Sequence, residues 1–398
     1  MHVQLRELLF ALSRALDFVE RELLGVTSNH GKRTAYVCTR ISRAMGFDDS
    51  DLFDMAGCAI LHDNALTAYM SDAGHGKLSR LEHFEHHCTL GEKNAMDFPF
   101  IGDCTGIVQY HHENWNGSGF FHLKGHDIPL RAQILRLADN MDLCLAMMDG
   151  RVGLAGEIRE HVEALRGRLY APDVVDALLA ILDDDILCDL RDDRIHQALP
   201  QSVPDIRVNL STQQLLRLCR AFAFIVDAKS PFTRSHTSGV AERTGRLADA
   251  YGFAGEHRDT MLVAAYFHDI GKLSTPASIL EKDGPLTQEE FEVMRDHVAV
   301  TRDILAEVAG LEDITVWASS HHEKLNGKGY PDGVTGEALP LEARIISCCD
   351  IYQALTEDRP YREGMGHLKA MKILRTMADN GELDAGIVNT VDGSFATA

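Results

Sequence analysis

Residues 321–333 read "HHEKLNGKGYPDG", and residues 111–123 read "HHENWNGSGFFHL". Both stretches open with two adjacent histidines and a glutamate, and both continue through Asn-Gly-x-Gly. Adjacent histidines are rare by chance, so a polar stretch that occurs twice in one chain indicates an internal duplication. Only the second copy continues as Gly-Tyr-Pro, which indicates that the two copies have different tasks.

The other histidines and two late aspartates extend this alignment over the whole chain. Small shifts of four and one positions are enough to keep the two halves in register, and matches at this density predict two homologous domains. The offset is 206 positions for His30 with His236, His62 with His268 and Asp63 with Asp269, 210 for His87 with His297, His111 with His321 and His112 with His322, and 211 for Asp139 with Asp350.

The hydrophobic pattern predicts the fold class. Apolar residues recur every three or four positions in segments such as 211–228 and 244–253, and alternating β-branched runs are few, which favours helices. The stretch "ALPQSVPDIRVNLS" at 198–211 has two prolines and no helical period, so it is the predicted linker. We therefore expect an all-α protein of two tandem helical bundle domains, residues 1–200 and 206–398.

Composition excludes several classes of protein. Lys and Arg number 39 against 60 Asp and Glu, and the net charge of −21 argues against binding of polymeric nucleic acid. No apolar run approaches the roughly 18 residues of a membrane span, and no signal peptide is evident. The nine cysteines include no Cys-x-x-Cys pair, which predicts reduced thiols. We expect a cytoplasmic protein without membrane contact.

The repeated polar residues of the second half have the composition of a metal centre. Five imidazoles and two carboxylates are too many for one tetrahedral zinc, and they suit two octahedral divalent ions, with iron or manganese expected. Successive helical side chains diverge by about 100°, so His268 can bind one ion while Asp269 bridges both. The expected ligands are His236, His268, Asp269, His297, His321, His322 and Asp350.

These motifs resemble those of the HD-GYP family, a branch of the HD-domain metal phosphohydrolases. The resemblance is carried by the early histidine, "HDIGK" at 268–272, "HHE" and "NGKGYP" within 321–331, and "RPYR" at 359–362. It covers residues 205–398 strongly and the first half more loosely. It implies two HD-type helical bundles around metal centres and hydrolysis of cyclic dinucleotides, chiefly cyclic di-GMP.

The resemblance also implies roles for residues around the metals. Asp269 and Lys272 would be catalytic, with the Lys272 ammonium at the substrate phosphate. The Gly-Tyr-Pro loop would shape the substrate mouth, and Arg344 would lie on the phosphate side. The substrate-binding set would be Lys272, Gly329, Tyr330, Pro331 and Arg344.

Two positions depart from the family pattern. Three-metal members have a glutamate four residues before the first histidine, where this chain has Phe232, and Val26 at the equivalent place in the first half. We therefore expect two metal ions and a linear dinucleotide as the main product. Gln353 stands where many relatives have aspartate, which questions a contact that supports a ligand.

The first half keeps every expected ligand but loses the residues implied to contact phosphate. Leu66 aligns with Lys272, Gly119-Phe120-Phe121 with Gly-Tyr-Pro, and Gln133 with Arg344. Three interpretations stay open: a metal-bound inactive scaffold, a sensor of redox state or a small ligand, or an independent enzyme. The expected second metal site comprises His30, His62, Asp63, His87, His111, His112 and Asp139.

The first functional expectation is a phosphodiesterase that converts a cyclic dinucleotide to the linear dinucleotide in its second half. Cyclic di-GMP is favoured, and 3',3'-cyclic GMP-AMP is the rival substrate. One alternative is a non-catalytic, metal-bound receptor or interaction module, and another is a phosphohydrolase acting on linear nucleotides. A homodimer or a signalling partner protein is left open.

Overall fold

The structure, a computed structural model, confirms the all-α prediction. Among the residues that it describes, regular strands are limited to β1 (Val3–Gln4) and β2 (Asn209–Leu210), which pair antiparallel. None of the described helices is long and apolar enough to cross a membrane. The described residues are 3–24, 28–68, 84–147, 154–230, 235–358 and 363–396.

The first half is a bundle around its second helix, which packs against the third, fifth, seventh and ninth. A short 3-10 turn, Gly125–Asp127, precedes the fifth helix. The helices are α1 (Leu5–Leu24), α2 (His30–Ala44), α3 (Asp49–Leu61), α4 (Phe84–Ala95), α5 (Leu130–Met147), α6 (Ala155–Leu165), α7 (Pro172–Ile181), α8 (Asp184–Asp189) and α9 (Ile195–Ser202).

The second half repeats this plan, and a 3-10 turn, Ile270–Ser274, follows its third helix. The helices are α10 (Thr212–Ala228), α11 (His236–Ala250), α12 (Gly255–Phe267), α13 (Ala277–Leu280), α14 (Gln288–Leu305), α15 (Glu312–Ala318), α16 (Leu341–Thr356), α17 (His367–Asp379) and α18 (Ala385–Phe395).

Local sequence explains where key helices begin. Ser211 caps α10 by accepting from the backbone of Gln214, whose side chain bonds back to the Ser211 backbone. Thr287 and Glu290 form the same reciprocal capping box at α14. Such boxes satisfy backbone N–H groups that lack a partner within the first helical turn.

The duplication is visible in matched helices. α2 and α11 are both 15 residues long and open with the first aligned histidine of each half, His30 and His236. α3 and α12 are both 13 residues long, and each ends at the residue before an aligned His-Asp pair. Two homologous helical domains therefore account for the repeated histidines.

The structure divides the chain slightly differently from the sequence prediction. One compact unit contains residues 12–208, and the other contains Asn209 onwards together with the chain up to Ala11. The first residues belong with the second unit because Val3 and Gln4 pair with Leu210 and Asn209. The predicted linker at 198–211 begins too early, since Pro200 lies inside α9.

Candidate metal centre

The seven expected ligands of the second half lie in or directly after five different helices, and their side chains converge on one site. Burial of so many polar side chains is costly unless they bind one another or a cation. His236 begins α11, His268 and Asp269 follow α12, His297 lies in α14, His321 and His322 follow α15, and Asp350 lies in α16.

Asp269 lies between two groups of histidines. Its Oδ2 atom is 3.1 Å from His268 Nε2 and 3.7 Å from His236 Nε2. Its Oδ1 atom is 3.5 Å from His297 Nε2 and 3.8 Å from His321 Nε2. Each carboxylate oxygen therefore faces a different pair of imidazoles, which is the arrangement that a bridge between two ions requires.

The candidate ligand atoms form small groups, each compact enough to hold a metal ion. In each group the ligand atoms lie within 4.8 Å of one another. His236, His268 and Asp350 form one group, and His297, His321 and His322 form another; His268 and His321 also group with Asp269. Donor sets rich in imidazole suit transition metals better than magnesium or calcium.

The histidine rings are oriented by backbone carbonyls. A donating Nδ1–H leaves the Nε2 lone pair for a metal. In His268, His297 and His321, the Nε2 atom is buried without a hydrogen-bond partner. The pairs are His268 Nδ1 with Ala265 O at 2.7 Å, His297 Nδ1 with Met294 O at 2.6 Å, and His321 Nδ1 with Ala318 O at 2.6 Å.

Electrostatics keep most of these imidazoles neutral. Burial lowers the pKa of His297 to about 4 and that of His322 to about 3, and burial beside His322 and His268 lowers the pKa of His321 well below its usual value. Burial opposes ionisation of Asp269, but His268 and Lys272 hold its pKa well below normal. Neutral imidazoles and an ionised carboxylate are the protonation states that metal binding needs.

His236 is supported differently from the other ligands. Its Nδ1 is 3.2 Å from Glu357 Oε1, and the Gln353 carboxamide donates to Glu357 Oε2 at 3.0 Å. Burial disfavours the imidazolium, yet bonds to Asp350 and Glu357 raise the pKa of His236 to about 10. Sequence reasoning missed Glu357, which supplies the supporting carboxylate that Gln353 lacks.

Lys272 reaches the carboxylate of Asp269. Its ammonium is 2.6 Å from Asp269 Oδ2, and although burial opposes the charge, Asp269 raises the pKa of Lys272. Gly271 allows the turn to approach α14, because a Cβ there would lie 1.9 Å from the His297 carbonyl oxygen. The "HDIGK" stretch thus places a fixed positive charge beside the ligand cluster.

The glutamate of "HHE" holds the Gly-Tyr-Pro loop, a role that sequence reasoning missed although both copies contain it. Glu323 is buried and accepts backbone N–H bonds from Asp332 at 2.7 Å, Gly333 at 3.1 Å and Val334 at 3.2 Å. Glycine is required at position 329 because a Cβ of Gly329 would lie 2.3 Å from the backbone nitrogen of Lys324. In the first half, Glu113 accepts from Phe121 and Leu123.

The loop places Tyr330 against the cluster. Its ring centroid is 4.8 Å from that of His322, with the planes tilted by 32°. Pro331 follows in the same loop, just before the residues that Glu323 holds. The loop therefore borders the His322 side of the site, where the resemblance places the substrate mouth.

Arg344 has different contacts from the phosphate-side contact that the resemblance implies. Its guanidinium donates to Leu339 O at 2.8 Å, to Gly336 O and to Asp384 at 3.4 Å. The aligned Gln133 donates to the carbonyls of Gly125 and Ile128, which align with Gly336 and Leu339 at the same offset of 211. Both side chains therefore brace the segment before a helix.

The first half assembles a similar cluster. Asp63 Oδ1 is 2.9 Å from His87 Nε2 and 3.9 Å from His111 Nε2, while Asp63 Oδ2 is 3.4 Å from His62 Nε2. His30 Nε2 is 3.4 Å from Asp139 Oδ1. Two candidate groups result: Asp63 with His87, His111 and His112, and Asp63 with His30 and His62.

The surroundings of the first cluster differ from those of the second. Leu66, aligned with Lys272, is buried. Arg136, which sequence reasoning missed, lies with Nη1 3.4 Å from His112 Nδ1. The position aligned with Arg136 is Ser347. The first half thus exchanges an ammonium beside the aspartate for a guanidinium beside a histidine.

Three further sequence predictions lie outside the described residues. They concern Phe232, Val26 and the segment 359–362. The expectation of two rather than three metal ions, which rests on Phe232, therefore stays a prediction.

The chain is similar to known proteins in sequence and in fold. A family model described as HD domain matches residues 19–166 and 220–387. The chain is 30% identical to 3'3'-cGAMP-specific phosphodiesterase 1 of Vibrio cholerae serotype O1, covering 98% of this chain and 91% of that protein. It is 33% identical to 3'3'-cGAMP-specific phosphodiesterase 3 of the same organism, covering 74% and 63%.

A solved structure has the same fold over the full length. It is described as a cyclic GMP-AMP specific phosphodiesterase of V. cholerae, with a TM-score of 0.69, 24% identity and coverage of 100% of this chain and 99% of that chain. The two matched regions and this likeness confirm the prediction of tandem helical domains.

Proposed function

Because this chain belongs to the HD domain family, we propose that it is a metal-dependent phosphodiesterase that opens a cyclic dinucleotide to the linear dinucleotide in its second half. Relatives named for 3'3'-cGAMP align along most of the chain, and others are named for cyclic di-GMP. The sequence favoured cyclic di-GMP, and the longest alignment makes 3',3'-cyclic GMP-AMP the first ring to test.

The observation that carries the proposal is the position of Asp269 between two groups of buried imidazoles. His236, His268 and Asp350 would hold one ion, and His297, His321 and His322 the other, with Asp269 in contact with both. Two divalent ions supply, when bound, an activated water and charge neutralisation at a phosphate. Iron or manganese, and a cytoplasmic location, are further parts of the proposal.

The surrounding residues orient the substrate and balance its charge. The Lys272 ammonium, held beside Asp269, would leave that carboxylate to an ion and pair with a phosphate oxygen as negative charge develops. The loop held by Glu323 would place Tyr330 over the cyclic dinucleotide. In the first half, Leu66 and Phe120 stand where the second half has Lys272 and Tyr330, which supports assigning the chemistry to the second half.

For the first half, we propose a metal centre that does not open the ring. Its ligand geometry repeats that of the second half, and the buried Nε2 atoms of His62 and His111 lack partners. Leu66 cannot neutralise charge on a transferred phosphate, so metal binding without turnover is expected. The structural and sensing roles of this centre are both compatible with such binding.

The test is anaerobic purification of the full chain, metal analysis, and incubation of iron- and manganese-loaded protein with each ring. Linear dinucleotide with about two or four metals per chain, according to whether the first half is loaded, supports the proposal. Turnover of linear nucleotides without preference for rings would favour the general phosphohydrolase. Folded, metal-loaded protein without turnover of either ring would overturn the proposal and favour a receptor.

A further inference from the structure

Arg295 is a guanidinium beside the candidate metal centre that the proposed mechanism does not use. It lies in α14, two residues before His297, and its Cζ is 4.6 Å from the centroid of the Tyr330 ring and 6.0 Å from that of Phe291. Within the described part of the chain, it has no hydrogen bond or ion pair. Its donors are therefore available to a ligand.

This guanidinium lies close to the candidate metal centre. Tyr330 is in turn 4.8 Å from the His322 ring, so Arg295 lies one ring beyond a proposed metal ligand. Phe291 contacts Tyr330 edge-to-face, with centroids 6.3 Å apart, and 41% of its surface is exposed. Two aromatic rings, nearly perpendicular to each other, and a planar cation thus form a surface next to the site.

This surface fits a purine base better than a second phosphate. Guanidinium groups and aromatic rings both stack on bases, and a guanidinium that stacks by its face leaves N–H donors in its plane. A planar pair of donors matches O6 and N7 of guanine. A phosphate would gain nothing from Phe291, and each of the two expected rings contains guanine.

The first half has lost this arrangement. At the offset of 210 positions, Glu85 aligns with Arg295 and Phe120 with Tyr330. A carboxylate would repel the acceptors O6 and N7. The difference accompanies the replacement of Lys272 by Leu66, so the half without the ammonium also lacks the guanidinium.

We propose that Arg295, stacked on Tyr330 and flanked by Phe291, binds a guanine base of the cyclic dinucleotide and makes the enzyme prefer rings that contain guanine. This inference rests on the proposed function. Arg295 is a specificity-determining residue here, while the bond cleavage itself is assigned to the metal centre and Lys272.

Steady-state kinetics of the metal-loaded full chain test this role. The variants are Arg295→Ala, Arg295→Lys and Phe291→Ala, with Arg191→Ala, an exposed arginine of the first half, as control. A bidentate contact to guanine predicts that Arg295→Ala raises KM for cyclic di-GMP and cyclic GMP-AMP about 10- to 100-fold, with kcat changed less than about threefold. Arg295→Lys should not restore KM, because an ammonium lacks the planar pair of donors.

Two further substrates separate base from phosphate recognition. Hydrolysis of bis(4-nitrophenyl) phosphate, a diester without a base, should be unchanged by Arg295→Ala, and cyclic di-AMP should lose far less than the guanine rings. Restoration by lysine, or an equal loss for all three rings, would instead indicate a charge contact to phosphate and overturn the inference. Wild-type KM in Arg295→Ala would also overturn it.

Direct binding keeps this test independent of turnover. Equilibrium dialysis of each ring against metal-free wild-type and Arg295→Ala protein, which cannot open the ring, should show the same preference for guanine rings and the same loss. If wild-type protein opens no ring, the proposed function fails, while the dialysis still decides whether Arg295 binds guanine. Phe291→Ala, at an exposed position, should weaken binding of all the rings by a few-fold through lost stacking.

Discussion

The two halves support the first histidine of their clusters with different residues. In the first half, His30 Nδ1 donates to Asp142 Oδ2 at 2.7 Å. Arg33 donates to the same carboxylate through Nε and Nη2. Bonds to His30 and Arg33 lower the pKa of Asp142 against the effect of burial, which favours the ionised carboxylate.

In the second half, the positions aligned with Asp142 and Arg33 are Gln353 and Gly239. The carboxylate comes instead from Glu357, one helical turn after Gln353, which donates to it. Gly239 leaves space for Gln353, because a Cβ there would lie 2.4 Å from its carboxamide. Both halves therefore retain a carboxylate contact to Nδ1 of this histidine, and they make it with different residues.

The strongest way to separate the halves is to remove the bridging carboxylate of each. Asp269→Asn should lower ring opening by roughly 1,000-fold. It should also remove metal from the second half, since the two proposed ions would lose the carboxylate that they share. The matched variant Asp63→Asn should lower metal content but leave turnover within a few-fold. Metal analysis and single-turnover assays measure both. Comparable loss of turnover in folded Asp63→Asn would show that the first half is catalytic.

Removal of the ammonium tests why only one half should react. Lys272→Leu copies the first half and should reduce kcat by roughly 100-fold, while metal content stays at the wild-type level because lysine is not a ligand. Lys282→Leu, which removes a surface ion pair with Glu290, is the matched control. Unchanged kcat in Lys272→Leu would remove the proposed reason for an inactive first half.

The exchanged supports of the first histidine can be broken and then rebuilt. Glu357→Gln should weaken metal binding in the second half by roughly 10- to 100-fold, because the imidazole loses its carboxylate partner. Adding Gln353→Asp should recover much of that affinity by recreating the arrangement of the first half. Metal titrations of the single and double variants measure the recovery. If Glu357→Gln binds metal as tightly as wild-type protein, the exchange has no energetic importance.

The smallest effect is expected at Arg344. Arg344→Gln replaces the second-half brace by the one found at Gln133, so ring opening should change less than about threefold. The resemblance to relatives instead implies a phosphate contact, whose loss would cost about tenfold or more. Rates with cyclic GMP-AMP at saturating and low concentration distinguish these outcomes.

Much of the fold and of the candidate site could be predicted without coordinates. Helical periodicity and the duplicated histidines predicted two α-helical domains, because metal-binding side chains recur at positions that the repeated helices impose. The same repeats identified the residues that the structure brings together around Asp269 and Asp63. Their roles as metal ligands stay predictions, which the experiments above address.

Supporting residues escaped the alignment for a physical reason. Glu357 and Arg136 each lack an equivalent in the other half, so no repeat marks them. Glu323 belongs to the repeated "HHE", but its three acceptor contacts depend on how the following loop folds back. The phosphate-side position of Arg344 stays a prediction, and only the structure shows that its guanidinium donates to two backbone carbonyls.

The sequence by itself determined the helical class, the duplication and the set of repeated polar residues, because periodicity and spacing are properties of the chain. The tertiary structure was needed to show which carboxylate contacts His236, how Glu323 shapes the loop, and that the Arg295 guanidinium lies over the Tyr330 ring. These contacts join segments that are far apart in the chain or folded back on themselves. Their geometry arises only when the helices pack.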